Sequence, residues 1–394
     1  MVLGFEGDGA VEWETVRLGD VAQNIQTGPF GSQLHQADYS DEGIPVVMPK
    51  DLVGGHISET SIARVPEEHV NRLSRHKIEN GDIIYSRRGD VGRCAFSTKR
   101  EAGWLCGTGC LRVTIEPSKA SPKFIFYQLQ KPDTVGWVEN HAVGSTMLNL
   151  NTSILGNIPV ALPPLSTQNR IASILSAYDN LIENNKKQIK LLEEAAQRLY
   201  KEWFVDFRFP GHEGVKFVDG VPEGWERVGL GEITPILTGK KDANFGTPNG
   251  HYPFFTCAQE PIRAASHSFD CDAVILAGNG EFNVKIYRGK FEAYQRTYVF
   301  SPYKKEHLYL LYHAVRDNMR QLFQGASGST IKFLTKHMLE DILVYVPAPD
   351  LMKKYNQQSE AIQRKMECIK QLNNDAQEAR DRLLPKLMSG EIGV

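Results

Sequence analysis

The sequence predicts an α+β chain in which two strand-rich globular bodies are each followed by a long helix, the whole being one unit used twice. Three observations carry the prediction. The chain has 394 residues, more than one hydrophobic core usually organises. A Trp-Glu…Leu-Gly opening occurs at Trp13 and again at Trp225. Twice, a stretch of short strand-like runs gives way after prolines to apolar residues spaced alternately by three and four, the period of a helical seam.

The openings are Trp13-Glu14-Thr15-Val16-Arg17-Leu18-Gly19-Asp20-Val21 and Trp225-Glu226-Arg227-Val228-Gly229-Leu230-Gly231-Glu232-Ile233. A second pair of anchors follows in the same order: Gly144-Ser145-Thr146 with Ile158-Pro159-Val160, and Gly328-Ser329-Thr330 with Ile342-Leu343-Val344. The first pair is offset by 212 positions and the second by 184, so the first body carries 28 additional residues in its loops. Within the bodies, Asp82-Ile83-Ile84-Tyr85-Ser86 and Asp272-Ala273-Val274-Ile275-Leu276-Ala277 are short, apolar and bounded by turn formers, as strands are.

The first helix follows Pro163-Pro164-Leu165, with a seam through Ile171, Leu175, Ile182, Ile189 and Leu192. The second follows Pro349, with a seam through Ile362, Met366, Ile369 and Leu372. Proline costs nothing at a helix start, and Ser166 and Asp350 are placed to cap the first turns. Asn185 lies on the first seam either as a register-setting polar residue or at a half-exposed edge. The divisions expected are 1–165, 166–208, 209–349 and 350–394. Helices of about 35 to 40 residues reach some 50 to 60 Å. A pseudo-twofold would run them antiparallel as a coiled coil and place the bodies at opposite ends, where two unlike readers would meet two unlike half-sites on DNA.

Composition excludes several classes. Hydrophobic residues at 41 % and charged residues at 23 % are ordinary for a globular protein, and no run of about 18 apolar residues is present to span a bilayer. The first residues lack the features of a signal peptide, and the six cysteines form no Cys-x-x-Cys pair, so a cytoplasmic chain with reduced thiols and no membrane contact is expected. The net charge of -2 gives no global sign of nucleic acid. Locally, residues 72–100 hold eight Lys or Arg against three acids.

Catalytic motifs are missing. The lone Pro-Pro stands in Leu162-Pro163-Pro164-Leu165, which is no amine-holding methyltransferase motif, and Phe5-Glu6-Gly7-Asp8-Gly9 fits a cofactor loop without a strand before it. No acid-x-Lys nuclease pair and no Gly-x-x-x-x-Gly-Lys-Ser/Thr loop occurs. His251, Cys257, His267 and Cys271 match no compact zinc spacing, so no metal is expected.

The candidate DNA contacts follow from residue chemistry. Tyr85-Ser86-Arg87-Arg88-Gly89-Asp90 is a strand-to-loop segment with adjacent guanidiniums, suited to guanine edges or phosphate, with a surface salt bridge as the alternative. Ala277-Gly278-Asn279-Gly280 corresponds to it in the second body, where Asn279 either reads adenine or forms a turn. Ser145, Thr146, Ser329 and Thr330 offer hydroxyls and amides to phosphate, or else form structural turns. Thr238-Gly239-Lys240-Lys241, with Thr27-Gly28-Pro29-Phe30-Gly31-Ser32 as its counterpart in the first body, is a further phosphate candidate.

Taken jointly, the Trp-Glu…Leu-Gly openings, the Gly-Ser-Thr elements, Pro163-Pro164-Leu165-Ser166-Thr167-Gln168, Trp203-Phe204-Val205-Asp206-Phe207 and Leu387-Met388-Ser389-Gly390-Glu391-Ile392 give a chain that resembles the specificity (S, HsdS) subunit of type I restriction-modification systems. The resemblance covers nearly the whole sequence. It implies target-recognition domains at 1–165 and 209–349, and helical regions that dock two methyltransferase subunits and, in a larger complex, restriction subunits. It also implies an asymmetric bipartite target on double-stranded DNA and no catalysis by this chain. No cofactor is then expected here, with S-adenosylmethionine, ATP and Mg carried by the partner subunits. Thr167, where the family usually has Glu, and Pro347-Ala348-Pro349, without a double proline, depart from the pattern. The competing reading is an assembly scaffold whose globular ends grip protein.

Overall fold

A computed structural model of the chain describes residues 13–144, 148–280, 282–326 and 332–394, which mix helices and strands and divide into two compact units. One unit runs to Glu183 and takes in Asn373–Val394; the other is Asn184–Leu372. Each long helix therefore begins in one unit and ends in the other. The expected separation of bodies from helices at 165, 208 and 349 differs from this partition for a physical reason: half of each helix lends its apolar stripe to each core.

In the first unit the opening strand Glu14–Arg17 pairs antiparallel with Pro159–Leu162, and the Leu18 amide donates to the Ile158 carbonyl at 2.9 Å. A four-stranded sheet follows in the order 22–27, 110–115, 83–86, 94–96. Ile83 and Tyr85 face the main core, with Leu111, Val113, Phe124, Tyr127, Ile171, Leu175, Leu387 and Met388. Ile84 faces a smaller core on the opposite side, with Ala95, Cys106 and Cys110. A sheet covered on both faces explains why the run Ile83-Ile84-Tyr85 is apolar without alternation.

The second unit repeats the plan. Glu226–Gly229 pairs with Leu343–Val346, and the Leu230 amide donates to Ile342 at 2.9 Å. The strands 236–238, 297–300, 269–277 and 284–293 lie in the order of the first sheet. The parallel pairing of Phe254 with Glu292 stands where Val46 meets Leu105 in the first unit. The first unit's added length includes the hairpin of Leu52–Val53 with His56–Ile57 and the helix Glu67–Arg72.

The long helices are Leu165–Tyr200 and Pro349–Ser389, 36 and 41 residues. Both start before the expected caps, so Ser166 and Asp350 lie inside the first turn. Gln168 supplies the polar contacts at the first start instead: its Oε1 accepts the Ser121 amide at 2.9 Å and its Nε2 donates to Pro163 at 2.8 Å. The first helix closes in a π turn at Lys201–Val205, and Phe207 follows at φ 55°, a bend stabilised by rings rather than by glycine. Trp225 lies 5.6 Å from Phe204, 5.7 Å from Phe207 and 5.0 Å from Phe209. The corresponding Trp13 covers Gly390 at the end of the second helix, where a Cβ would come within 3.2 Å of the indole.

Within the first unit the two helices run antiparallel. Ile171 and Leu175 share a core with Leu387 and Met388, and one turn past Leu175 Asp179 is met by Arg380 at 2.9 Å. Asp179 also accepts the Tyr127 hydroxyl at 2.5 Å, which fastens the helix Pro122–Leu129 to both rods. Beside it, the Lys123 ammonium lies 4.3, 4.6 and 5.3 Å from the rings of Phe96, Phe126 and Tyr127. In the second unit the remaining halves meet at Tyr355, 4.6 Å from Phe204 and 5.8 Å from Trp203.

Of the expected seam, Ile171, Leu175, Ile182, Met366 and Ile369 are buried, while Ile189, Leu192 and Ile362 are half-buried. Leu372 is a correction, since it is 52 % exposed and the seam passes from Ile369 through Asn373 to Ala376. Three and four residues after Ile369 are both near its face of the helix, and a polar residue took the inner one. Asn185 is buried too, which removes the half-exposed alternative for it. Among the described residues no helix is long and apolar enough to cross a membrane.

Candidate nucleic-acid interface

In each unit one end of the sheet gathers the loops that hold the candidate contacts. Ser86 is opposite Cys110 and Thr27 opposite Leu111, so the chain leaves three neighbouring strands at the same end. The loops are bound to one another through the backbone: the Arg87 amide donates to Gly109 at 2.8 Å, the Leu150 amide to Arg87 at 2.8 Å, and the Gly28 amide to Cys110 at 2.9 Å. A rigid sheet thus presents a short polar platform, the arrangement in which loops carry recognition.

Ser86 does not belong to that platform. It is fully buried, its hydroxyl donating to the Arg88 carbonyl at 3.2 Å and its amide to Arg93 at 2.8 Å, so it shapes the loop from inside. This corrects its assignment as a contact. Arg87 is half-buried, with its Nε donating to Leu150 at 3.3 Å and its guanidinium 5.9 Å from the Phe30 ring. Burial, and then the charge of Arg88, holds it below its usual pKa. Its terminal nitrogens have no protein partner among the described residues, which leaves the bidentate edge of a preorganised fork available.

Arg88 is exposed, and its side chain has no partner among the described residues. Its neighbours in the basic run differ: Arg93 pairs with Asp90 at 2.5 Å, Arg100 with Glu101 at 2.6 Å, and Arg72 donates to Gln33 at 2.9 Å. The local excess of charge read from 72–100 is therefore largely spent within the fold, and Arg87 and Arg88 are what remains at the platform. Gly89 makes the turn at φ 76° with open space around it, so it serves conformation rather than a close approach.

The second unit has the same frame. The Gly278 amide donates to Arg296 and the Leu334 amide to Gly278, both at 2.8 Å. Asn279 bridges to Phe333 as Arg88 bridges to Asn149, and Gly280 turns at φ 67° as Gly89 does. The two segments thus correspond, and the loop bonds fix the register, 86–89 matching 277–280. Asn279 is half-buried, with its side chain unpartnered among the described residues. Lys240 is exposed, while Lys241 rests 4.4 Å from the Phe245 ring. Gly239 positions both, because a Cβ there would sit 2.0 Å from the Ala293 carbonyl oxygen; at Gly28 it would sit 1.9 Å from that of Gly107.

Ser145, Thr146, Ser329 and Thr330 lie outside the described residues, as does Phe5-Glu6-Gly7-Asp8-Gly9. Val143 and Asn149, which flank the first pair, bond to each other beside Arg88. Of two further platform residues, Arg296 escaped the sequence reading and Phe30 entered it only as part of a phosphate-candidate loop. Phe30, 52 % exposed, flanks Arg87, and Arg296 lines a cleft of about 310 Å³ with Thr238, Gly278, Gln295, Tyr298, Phe333 and Leu334. Nothing in Gln295-Arg296-Thr297 marks it; sheet register is the signal.

Among the described residues no three His, Cys, Asp or Glu side chains gather as metal ligands would. His267 packs on the Tyr252 ring at 4.5 Å, and the Cys257 thiol points at the Arg296 carbonyl at 3.8 Å. Burial pushes the thiols of Cys94 and Cys106 up to about 12, far from nucleophilic use.

Comparison with known proteins agrees with this architecture. A family model described as the type I restriction modification DNA specificity domain matches residues 10–194 and 222–375. The EcoDI type I restriction enzyme specificity subunit of Escherichia coli is 39 % identical over 178 residues, which is 44 % of this chain and 39 % of that protein. The MjaIX specificity subunit of Methanocaldococcus jannaschii is 24 % identical over 417 aligned positions, 97 % of this chain and 94 % of the other. The crystal structure of a type I restriction-modification S subunit from M. genitalium superposes with a TM-score of 0.63 at 18 % identity, covering 97 % of this chain and 98 % of that one, and bears on the fold alone.

Proposed function

The chain belongs to the type I restriction-modification DNA specificity family, and on that premise we propose that its two units read the two unlike halves of one bipartite target on double-stranded DNA. The observation that carries the reading is a shared frame with different residues on it. The same sheet end and the same loop bonds present Arg87, Arg88 and Phe30 in one unit, and Lys240, Lys241, Asn279 and Arg296 in the other. Identical scaffolds with unlike side chains are what two half-sites of different sequence require.

The chain is then a non-catalytic component. Methyl transfer, cleavage and translocation, with their S-adenosylmethionine, Mg and ATP, fall to methyltransferase and restriction subunits in the cytosol, with two methyltransferase copies matching the repeat. Leu181, Leu191 and Leu372 stand exposed on the long helices and suit such docking.

The test is selection of random-sequence duplex by the full chain assembled with methyltransferase. The expected product is a motif of two unlike halves at fixed spacing; no enrichment overturns the reading in favour of a protein-gripping scaffold. Lys240→Ala with Lys241→Ala is expected to weaken binding to every sequence alike and to flatten the dependence of log K on log salt by about 1 to 2. Lys240, exposed and free of a ring, should account for most of it. An unchanged salt slope removes both lysines from the phosphate contacts.

A further inference from the structure

The loops that meet at the platform contain one reciprocal exchange. In the first unit the amide of Arg87 donates to the carbonyl of Gly109; in the second the amide of Gly278 donates to the carbonyl of Arg296, at the same 2.8 Å. Register confirms the equivalence, since Ser86 is opposite Cys110 as Ala277 is opposite Thr297. The hydrogen-bonded pair is therefore Arg–Gly in one unit and Gly–Arg in the other. Each glycine is required at its position by close contact. A Cβ on Gly278 would lie 2.5 Å from the Arg296 carbonyl oxygen and 3.0 Å from the Tyr298 ring, and one on Gly109 would lie 2.8 Å from the Pro49 ring.

From this exchange we infer that Arg296 is the guanidinium by which the second unit reads its half-site, the counterpart of Arg87, and that its ligand is the major-groove edge of a guanine. The inference rests on the reading of these loops as DNA-facing. What the pair keeps is the planar fork rather than charge at a fixed position. Positive charge nearby is not kept, because Pro29 and Phe30 stand in the first unit where Lys240 and Lys241 stand in the second. A phosphate needs only charge, which those lysines already supply; guanine O6 and N7 are matched in plane by the fixed parallel donors of a guanidinium, a geometry that the tetrahedral, flexibly tethered ammonium of lysine meets only in part.

The surroundings favour an inserted base edge. Arg296 is exposed, its side chain has no partner among the described residues, and it lines the 310 Å³ cleft beside Phe333, as Arg87 lies beside Phe30. The neighbouring Gln295 is engaged elsewhere, its Nε2 donating to Asp242 at 2.7 Å. The backbone of Arg296 is held at its carbonyl by Gly278 and by the Cys257 thiol, which fixes the point from which the side chain projects.

The test uses the full chain assembled with methyltransferase, selecting from random duplex, with Arg296→Ala and Arg296→Lys beside the unmodified protein. Arg296→Ala is expected to lose preference for guanine at one position of the second half-site, roughly 5- to 150-fold, and Arg296→Lys to recover it only in part, while the first half-site stays unchanged. Uniform weakening with Ala that Lys restores would make Arg296 a phosphate contact and overturn the inference, as would an unaltered motif or relaxation at a base other than guanine. If the unmodified protein selects no bipartite motif, the broader reading fails first, an outcome distinct from the other three. Thermal unfolding of both variants should match the parent, because the side chain is exposed.

Discussion

Asp179→Ala is expected to lower the stability of the first unit by roughly 2 to 4 kcal/mol, although the residue is far in sequence from every platform loop. Its carboxylate accepts the Tyr127 hydroxyl at 2.5 Å and the Arg380 guanidinium at 2.9 Å. Breaking a buried pair of this kind costs about 3 to 5 kcal/mol when the remaining charge is stranded. The figure is lower here because Arg380 is 25 % exposed and keeps Asp381 at 2.8 Å. Burial, and then Asp179, pushes the Tyr127 phenol well above its usual range, so that hydroxyl remains a donor throughout the working pH. Urea unfolding of the full chain should show the loss. Tyr127→Phe alone should cost about 1 to 2 kcal/mol, and the double variant less than the sum, since both remove one bond. Strict additivity, or a loss below about 1 kcal/mol, would mean that Asp179 does not fasten the recognition body to its rods.

Much of this architecture was legible in the sequence, for reasons that can be stated residue by residue. The openings at Trp13 and Trp225 are recognisable because each indole closes the end of a long helix, a task with few substitutes. The helices are recognisable because apolar spacing reports the face buried, from Ile171 and Leu175 through Met366 and Ile369. The same logic fails at Asn373, for a polar residue in a seam is invisible to an apolar pattern, and Leu372 beside it was chosen in its place. Ser86 was misread because a serine before two arginines has the composition of a surface loop, whereas its burial depends on a carbonyl two residues ahead. Arg296 was missed because its equivalence to Gly109 exists only across a sheet, between strands that no local window joins. Local chemistry thus reveals what a residue can do, and pairing reveals where it is allowed to do it.

The second unit is expected to weaken in mild acid because of His313. Its ring is buried against Tyr200 at 6.1 Å and Tyr355 at 6.5 Å, with Gln197 Oε1 at 3.4 Å from Nδ1. Burial, and then the charge of Arg316, holds its pKa down at about 3 against an ordinary 6.5. A histidine depressed in the folded state is protonated first in the unfolded one. Its stabilising effect is therefore complete above pH 6.5, falls as pH drops below that value, and is exhausted near 3. At pH 5 the difference corresponds to about 2 kcal/mol, and His76 and His307, also depressed by burial, act in the same direction. His313→Gln keeps a polar group of similar reach without a titrating ring. Urea midpoints measured from pH 7.5 to 4.5 should then fall less steeply in the variant than in the parent, with the parent's excess loss confined to the second unit's transition. Parallel curves for the two proteins would show that His313 carries no such penalty, and that the acid response of this unit lies with the remaining buried histidine, His307, which occupies the helix start where Ser121 and Gln168 bond in the first unit.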